Sequence, residues 1–378
     1  MKARLTIYIL LLITVVLLAA CNPNEKEVNE STNDYEIHQV EEKVIIPRVE
    51  LIAGVLSQTT LRDKYGPEGD GSEYYRELES FFSEYEDHEA IRIAQKLVSN
   101  NFESGSQLSY VMTLGDLPNL KRDNSYCYYL LRKVRDEKLF EAYRKALIDL
   151  AEVSNFEAFY KSHEDLYMDI LEDEQEKMNF DEVRNWMEAF YGDSKEQYCT
   201  IFAPGIFPVG GNSITTFSED GSESNYQVIR ATGEGEIKPR FTDHIYSLTI
   251  HEFGHNYINP IVDTNKELID EYKLVQLYTP VRFDMKETNY GHPMVFLNEQ
   301  IIRAVTICGV NELIGEEAAI IDRELNIDRG FYLTDYTVEQ IKHYQANRDL
   351  YPTFNDFVPV LLENYHKDKK ELIELTRQ

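Results

Sequence analysis

The chain is short of positive charge, short of cysteine and, beyond its first twenty residues, short of long hydrophobic runs. Against 67 Asp and Glu it carries 38 Lys and Arg, a formal balance of −29. That deficit argues against a nucleic-acid partner and against charge-driven adsorption to anionic lipid, because both need clustered cations. The four cysteines, Cys21, Cys127, Cys199 and Cys308, show no C-x-x-C spacing. They point away from a cysteine-built metal site. With Cys21 set aside they allow at most one bridge, so no disulfide framework holds the chain.

The apolar run that does exist is at the start. Lys2 and Arg4 precede Leu5 to Ala20, a stretch at or below the roughly 17–25 residues of a spanning helix. A charged head, an apolar middle and small residues at the end describe an export signal. Its last residues, Leu18-Ala19-Ala20-Cys21, resemble the lipobox of bacterial lipoproteins. The resemblance implies that residues 1–20 are removed, that Cys21 is lipidated, and that the protein faces outward from a cell membrane to which the lipid anchors it. Residues 21–43 are polar and acidic, with too little apolar content to pack, and read as a disordered tether.

Residues 44–191 are dominated by apolar positions recurring at three and four, the mark of helices. The expected helices cover 72–99, 125–151 and 153–190. His88 sits among Glu86, Asp87 and Glu89 at a junction in the first, where capping is the plainer role and ligand binding the rarer one. At Gly192 the pattern changes. Tyr198–Ala203, Ser213–Phe217 and Tyr226–Ala231 are short β-rich runs separated by Gly-rich turns, which predict a small antiparallel sheet. The fold class expected is therefore α+β, mainly helical. An N-terminal helical region (44–191) precedes a region (192–378) in which the sheet leads into one helix of special composition.

That helix carries His251-Glu252-Phe253-Gly254-His255. Two histidines four apart lie on one face of a helix, where their imidazoles can grip one zinc ion. The Glu after the first His projects beside the metal, placed to take a proton from a bound water. Phe241, Ile245, Leu248, Ile250, Phe253 and Tyr257 supply an apolar stripe. Thr242 or Asp243 can cap the start, and Asn259-Pro260 is the expected end. His244, seven before His251, reads as structural.

A catalytic zinc needs a third protein ligand and an open position. The metzincin arrangement would need Gly and His where this chain has Ile258 and Ile261, so that class is excluded. The candidates are Glu267, Asp270, Glu271, Glu287, His292 and Glu299. Glu299 ranks first, because it interrupts an otherwise apolar helical run and needs a partner there. Arg303, one turn on, is either that partner or its support. Glu271 ranks second. Tyr290 and His292, just before the Glu299 run, are candidate donors to a developing oxyanion.

These segments resemble the gluzincin pattern, in which two His of H-E-x-x-H and a Glu from a later helix bind zinc. With Pro47-Arg-Val-Glu-Leu51 and Tyr85-Glu-Asp-His88, the chain is similar to a bacterial domain-of-unknown-function family of lipoproteins regarded as zinc metallopeptidases. The resemblance implies His251, His255 and Glu299 as metal ligands and Glu252 as catalytic base. The function expected is zinc-dependent hydrolysis of peptide bonds, in a peptide or protein substrate, at the outer side of a bacterial membrane. The alternative is a non-enzymatic surface lipoprotein, with a structural zinc site or a role as a binding protein.

Overall fold

Proline at the first turn and an unbroken apolar series make Pro47–Ser57 (α1) a helix buried on nearly every side. Val49, Leu51, Ile52 and Val55 are all fully buried. Gly54 lets Glu73–Ser83 (α2) approach it, since a Cβ at Gly54 would stand 2.0 Å from the Phe82 ring. The computed structural model describes residues 38–376, apart from 41–42, 68–70, 123–125, 128–129, 131–135, 233–237, 287 and 289. The expected signal, Cys21 and most of the tether lie outside the described residues, as does Glu287.

Among the described residues, the remaining α-helices of eight or more residues are α3 (Glu89–Val98), α4 (Ser104–Val111), α5 (Glu137–Val153), α6 (Glu164–Lys177), α7 (Phe180–Tyr191), α8 (Ile245–Thr264), α9 (Pro293–Leu313), α10 (Glu316–Asp328), α11 (Thr334–Ala346) and α12 (Phe354–Leu375). The expected helix over 72–99 is two, because residues 84–88 turn between α2 and α3. There His88 accepts the Ala90 N–H through Nδ1 and meets Asp149 through Nε2, so it caps α3. No helix among the described residues is long and apolar enough to cross a membrane.

One sheet runs β1-β2-β4-β6-β5-β3, from strands His38–Val40, Lys43–Ile45, Tyr126–Cys127, Tyr198–Ala203, Gly210–Phe217 and Glu223–Arg230 in chain order. It is mixed rather than antiparallel. The β5–β6 hairpin returns between β5 and β4, so β6 is antiparallel to β5 and parallel to β4. Alternation of residues reports strands but not their neighbours, so this order is not readable from periodicity. β1 forms inside the stretch expected as tether, and β1 to β3 join strands from beyond residue 192. The change of composition at 191/192 is thus a change of element type within one compact unit.

β5 has β6 on one side and β3 on the other, but β3 meets it at Phe217 and Thr216 alone. Among the described residues, Gly210–Ser213 therefore has no strand beside it on that side. α8 packs between this part of the sheet and α9.

Away from that edge, Glu50 is fully buried in α1. It accepts from the Tyr74 hydroxyl, which in turn touches Tyr167, and its Oε1 has no hydrogen-bond partner. Burial pushes its pKa up to about 8, against the opposing effects of Tyr74 and the Gly205 backbone. The folded state thus holds a proton that the unfolded chain releases near pH 4.5. Stability from this group is complete below pH 4.5 and is lost as pH rises to about 8, by about 5 kcal/mol in all. Urea midpoints measured from pH 4 to 9 will show this decline in the wild type relative to Glu50→Gln, which cannot titrate.

Candidate metal centre

α8 is 20 residues long and continues through Pro260 to Thr264, past its expected end. Proline forgoes one backbone bond within a helix. Here the contacts of α8 with the sheet and with α9 hold the helix on both sides of it. The buried stripe is Ile245, Thr249, Ile250, Phe253, Tyr257, Ile258 and Val262. Phe253 meets Phe180 and Tyr198 edge-on, and Tyr257 stacks on Tyr191 at 4.0 Å between ring centres. Those contacts fix the rotation of α8 and turn His251 and His255 toward α9.

Within α9, Glu299 and Arg303 are buried polar residues among Leu297, Ile301, Ile302 and Ala304. Glu299 Oε1 lies 3.5 Å from His255 Nε2, and Oε2 lies 3.6 Å from His251 Nε2. The ligand atoms of the three side chains all lie within 4.8 Å of one another. Two atoms each bonded at ~2.0–2.2 Å to a tetrahedral ion stand about 3.4 Å apart, so the spacing suits one. Glu299 Oε2 is buried and lacks a well-directed hydrogen bond, although Arg303 Nη2 is 2.8 Å away as an ion pair. Two imidazole nitrogens and one carboxylate oxygen are a donor set that suits zinc. These residues fit the metal that the sequence pattern implies.

Burial, then the charges of Arg303, His255 and Arg329, hold His251 well below the usual histidine pKa, which keeps it neutral as a ligand must be. His255 Nδ1 faces Asn259 Oδ1 at 3.3 Å, and Asn298 Nδ2 donates to the same oxygen at 3.1 Å. A proton on Nδ1 leaves Nε2 free toward Glu299. Such partners typically change metal affinity 10–100-fold. Asn259→Ala is accordingly expected to weaken zinc binding roughly 10- to 100-fold, read by competition with a chelating dye. Asn259 follows His255 by four on one helix face, a signal that sequence reading passed over as a helix end.

Glu252 is buried beside the sheet edge. Burial raises its pKa, while His255, Arg230 and the Ser213 backbone oppose the rise. Gly211 of β5 leaves room for it: a Cβ there would stand 2.4 Å from Glu252 Cγ. Asn256, one turn on, accepts from Ser213 Oγ and Thr215 Oγ1, tying the helix to β5.

Tyr290 also comes to the centre. Its hydroxyl accepts from Arg303 Nη2 at 2.8 Å, and it feels the charges of Glu299 and Glu252. His292 has a local task. It is exposed and caps α9, with Nδ1 accepting the Met294 N–H at 3.2 Å. A β-region residue one before Pro293 makes a good helix cap, and this local task accounts for the histidine. Glu271 ends the short helix Lys266–Glu271, exposed and outside the group of three. Arg230 and Ser213, which act on Glu252, escaped sequence reading because pairing of β5 with β6 brings them there.

A family model described as "Domain of unknown function (DUF4932)" matches residues 128–364, and the chain belongs to that family. The match spans α8 and α9 and so includes all three candidate ligands. No curated protein and no solved structure matches the chain.

Proposed function

We propose that this member of the DUF4932 family is a zinc-dependent peptidase, anchored by a lipid on Cys21 at the outer side of a bacterial membrane. The observation that carries the reading is the convergence of His251, His255 and Glu299 beside a buried Glu252 that no metal-binding role requires. A zinc held by the three ligands would act as a Lewis acid, polarising a peptide carbonyl and acidifying water.

The chain's own groups supply the rest. Glu252 takes a proton from the attacking water as its oxygen bonds to the peptide carbon, then delivers a proton to the amine as the C–N bond breaks. Tyr290 receives a hydrogen bond from Arg303, so its own proton is free to donate to the developing oxyanion. The edge Gly210–Ser213, with no strand beside it among the described residues, can take an extended peptide by backbone hydrogen bonds, and Gly211 beside Glu252 puts a bound carbonyl near the base.

The test is hydrolysis of a fluorogenic peptide library by metal-replete protein. Activity lost to a chelator and restored by added zinc supports the reading. Failure of replete protein to cut any member, or activity indifferent to chelation, contradicts it.

A further inference from the structure

A net charge of −29 makes a half-buried arginine without an acid partner notable in this chain. Arg48, Arg62, Arg144, Arg303 and Arg323 each meet a carboxylate. Arg230 has no ion pair among the described residues, and its buried Nε has no hydrogen-bond partner. A guanidinium carries five donors in a fixed fork and costs free energy when they are left unmet.

Arg230 stands at the end of the strand pair that carries Gly211, within electrostatic reach of the centre. It is the last residue of β6, paired with Gly210 at the start of the edge. Gly210, at φ +145°, accommodates the guanidinium: a Cβ there would lie 2.7 Å from an Arg230 Nη atom. The charged and titratable groups acting on Arg230 are Glu252, Tyr65 and Tyr290. Gly211, which cradles Glu252, is the next residue of the edge. Neighbouring residues of a strand face opposite sides, so the fork lies beside Gly210 on the sheet face away from Glu252, and a peptide laid along the edge would alternate in the same way, turning one residue to the base and the next to the fork. Glu252 lies against Gly211 and accepts from the Ser213 backbone, and it makes no ion pair with Arg230 within 4.0 Å among the described residues.

We propose that Arg230 binds a carboxylate of the substrate next to the scissile bond, so that the site selects peptides carrying a negative charge there. The inference rests on the peptidase reading. The chemistry is shared by two sources, a C-terminal α-carboxylate and an Asp or Glu side chain. Bidentate recognition of a planar anion is what an unpaired guanidinium does best, and an otherwise acidic surface makes the cation selective.

The test compares matched peptides on metal-replete full-length protein. One pair differs by a free against an amidated C-terminus, and another by Glu against Gln beside the cleaved bond. The wild type is expected to favour the charged member of one pair roughly 10- to 100-fold in kcat/KM. The pair showing the preference identifies the source. Arg230→Gln should bring that preference to within about threefold, mainly through KM, with zinc content unchanged. Arg230→Lys should keep part of it, and replaces Gln if that variant does not fold. Wild-type hydrolysis without any charge preference would overturn the inference and leave the peptidase reading standing. So would an Arg230→Gln variant that loses kcat equally on charged and neutral peptides, since Arg230 would then act through Glu252. No hydrolysis of any peptide would instead remove the peptidase reading beneath it.

Discussion

Glu252→Gln will abolish peptide hydrolysis, lowering kcat by about 10³-fold or more, while zinc stays bound. The substitution is nearly isosteric, which matters because Gly211 leaves Glu252 little room on the sheet side. A glutamine oxygen can still accept from the Ser213 backbone, but it cannot take a proton from water. Single-turnover rates and zinc content, measured on the same preparation, separate the outcomes. Loss of activity with zinc retained fits a base. A variant that cuts at the wild-type rate would show that the proton goes elsewhere. If the protein only binds a ligand, the variant will bind it as the wild type does.

Glu299→Ala will have the second large effect, in two measurable parts. Zinc affinity should fall by more than roughly 100-fold, beyond the range typical of a supporting residue. The metal-free fold should also weaken, by about 3–5 kcal/mol, because Arg303 stays buried after its acid is removed. Asn326 and Tyr290 still contact the guanidinium, which places the loss toward the lower end of that range. Denaturant midpoints of the zinc-free proteins give the second part alone. Glu271→Ala is the control. It lies exposed away from the three ligands and should change neither zinc affinity nor stability.

The helix that carries the histidine pair was legible because its requirements are local. Pitch fixes His251 and His255 on one face, and the apolar stripe says which face is buried. Glu299 was legible for another local reason: an acid amid Leu297, Ile301 and Ile302 demands a partner. Distance along the chain hid the rest. β6 inserts between β4 and β5, so the sheet is mixed and Arg230 arrives beside Gly210 by strand pairing that no periodicity encodes. Pro260 looked like a helix end, yet α8 runs on to Thr264 and brings Asn259 under His255. His292 looked like a donor to the reaction because it precedes Glu299 closely. The structure uses it as a cap, a role set by the two residues after it. Glu50 gave no sign of its state, since its burial depends on α2 and α6 closing over α1.

The most direct test of the metal centre is elemental analysis of metal-replete protein from residue 22 onward, with His255→Ala and Glu299→Ala beside it. One zinc per chain in the wild type and none in either variant is the predicted result. Wild-type protein that holds no zinc after careful loading, or a Glu299→Ala variant that keeps it with unchanged affinity, would contradict the three-ligand site.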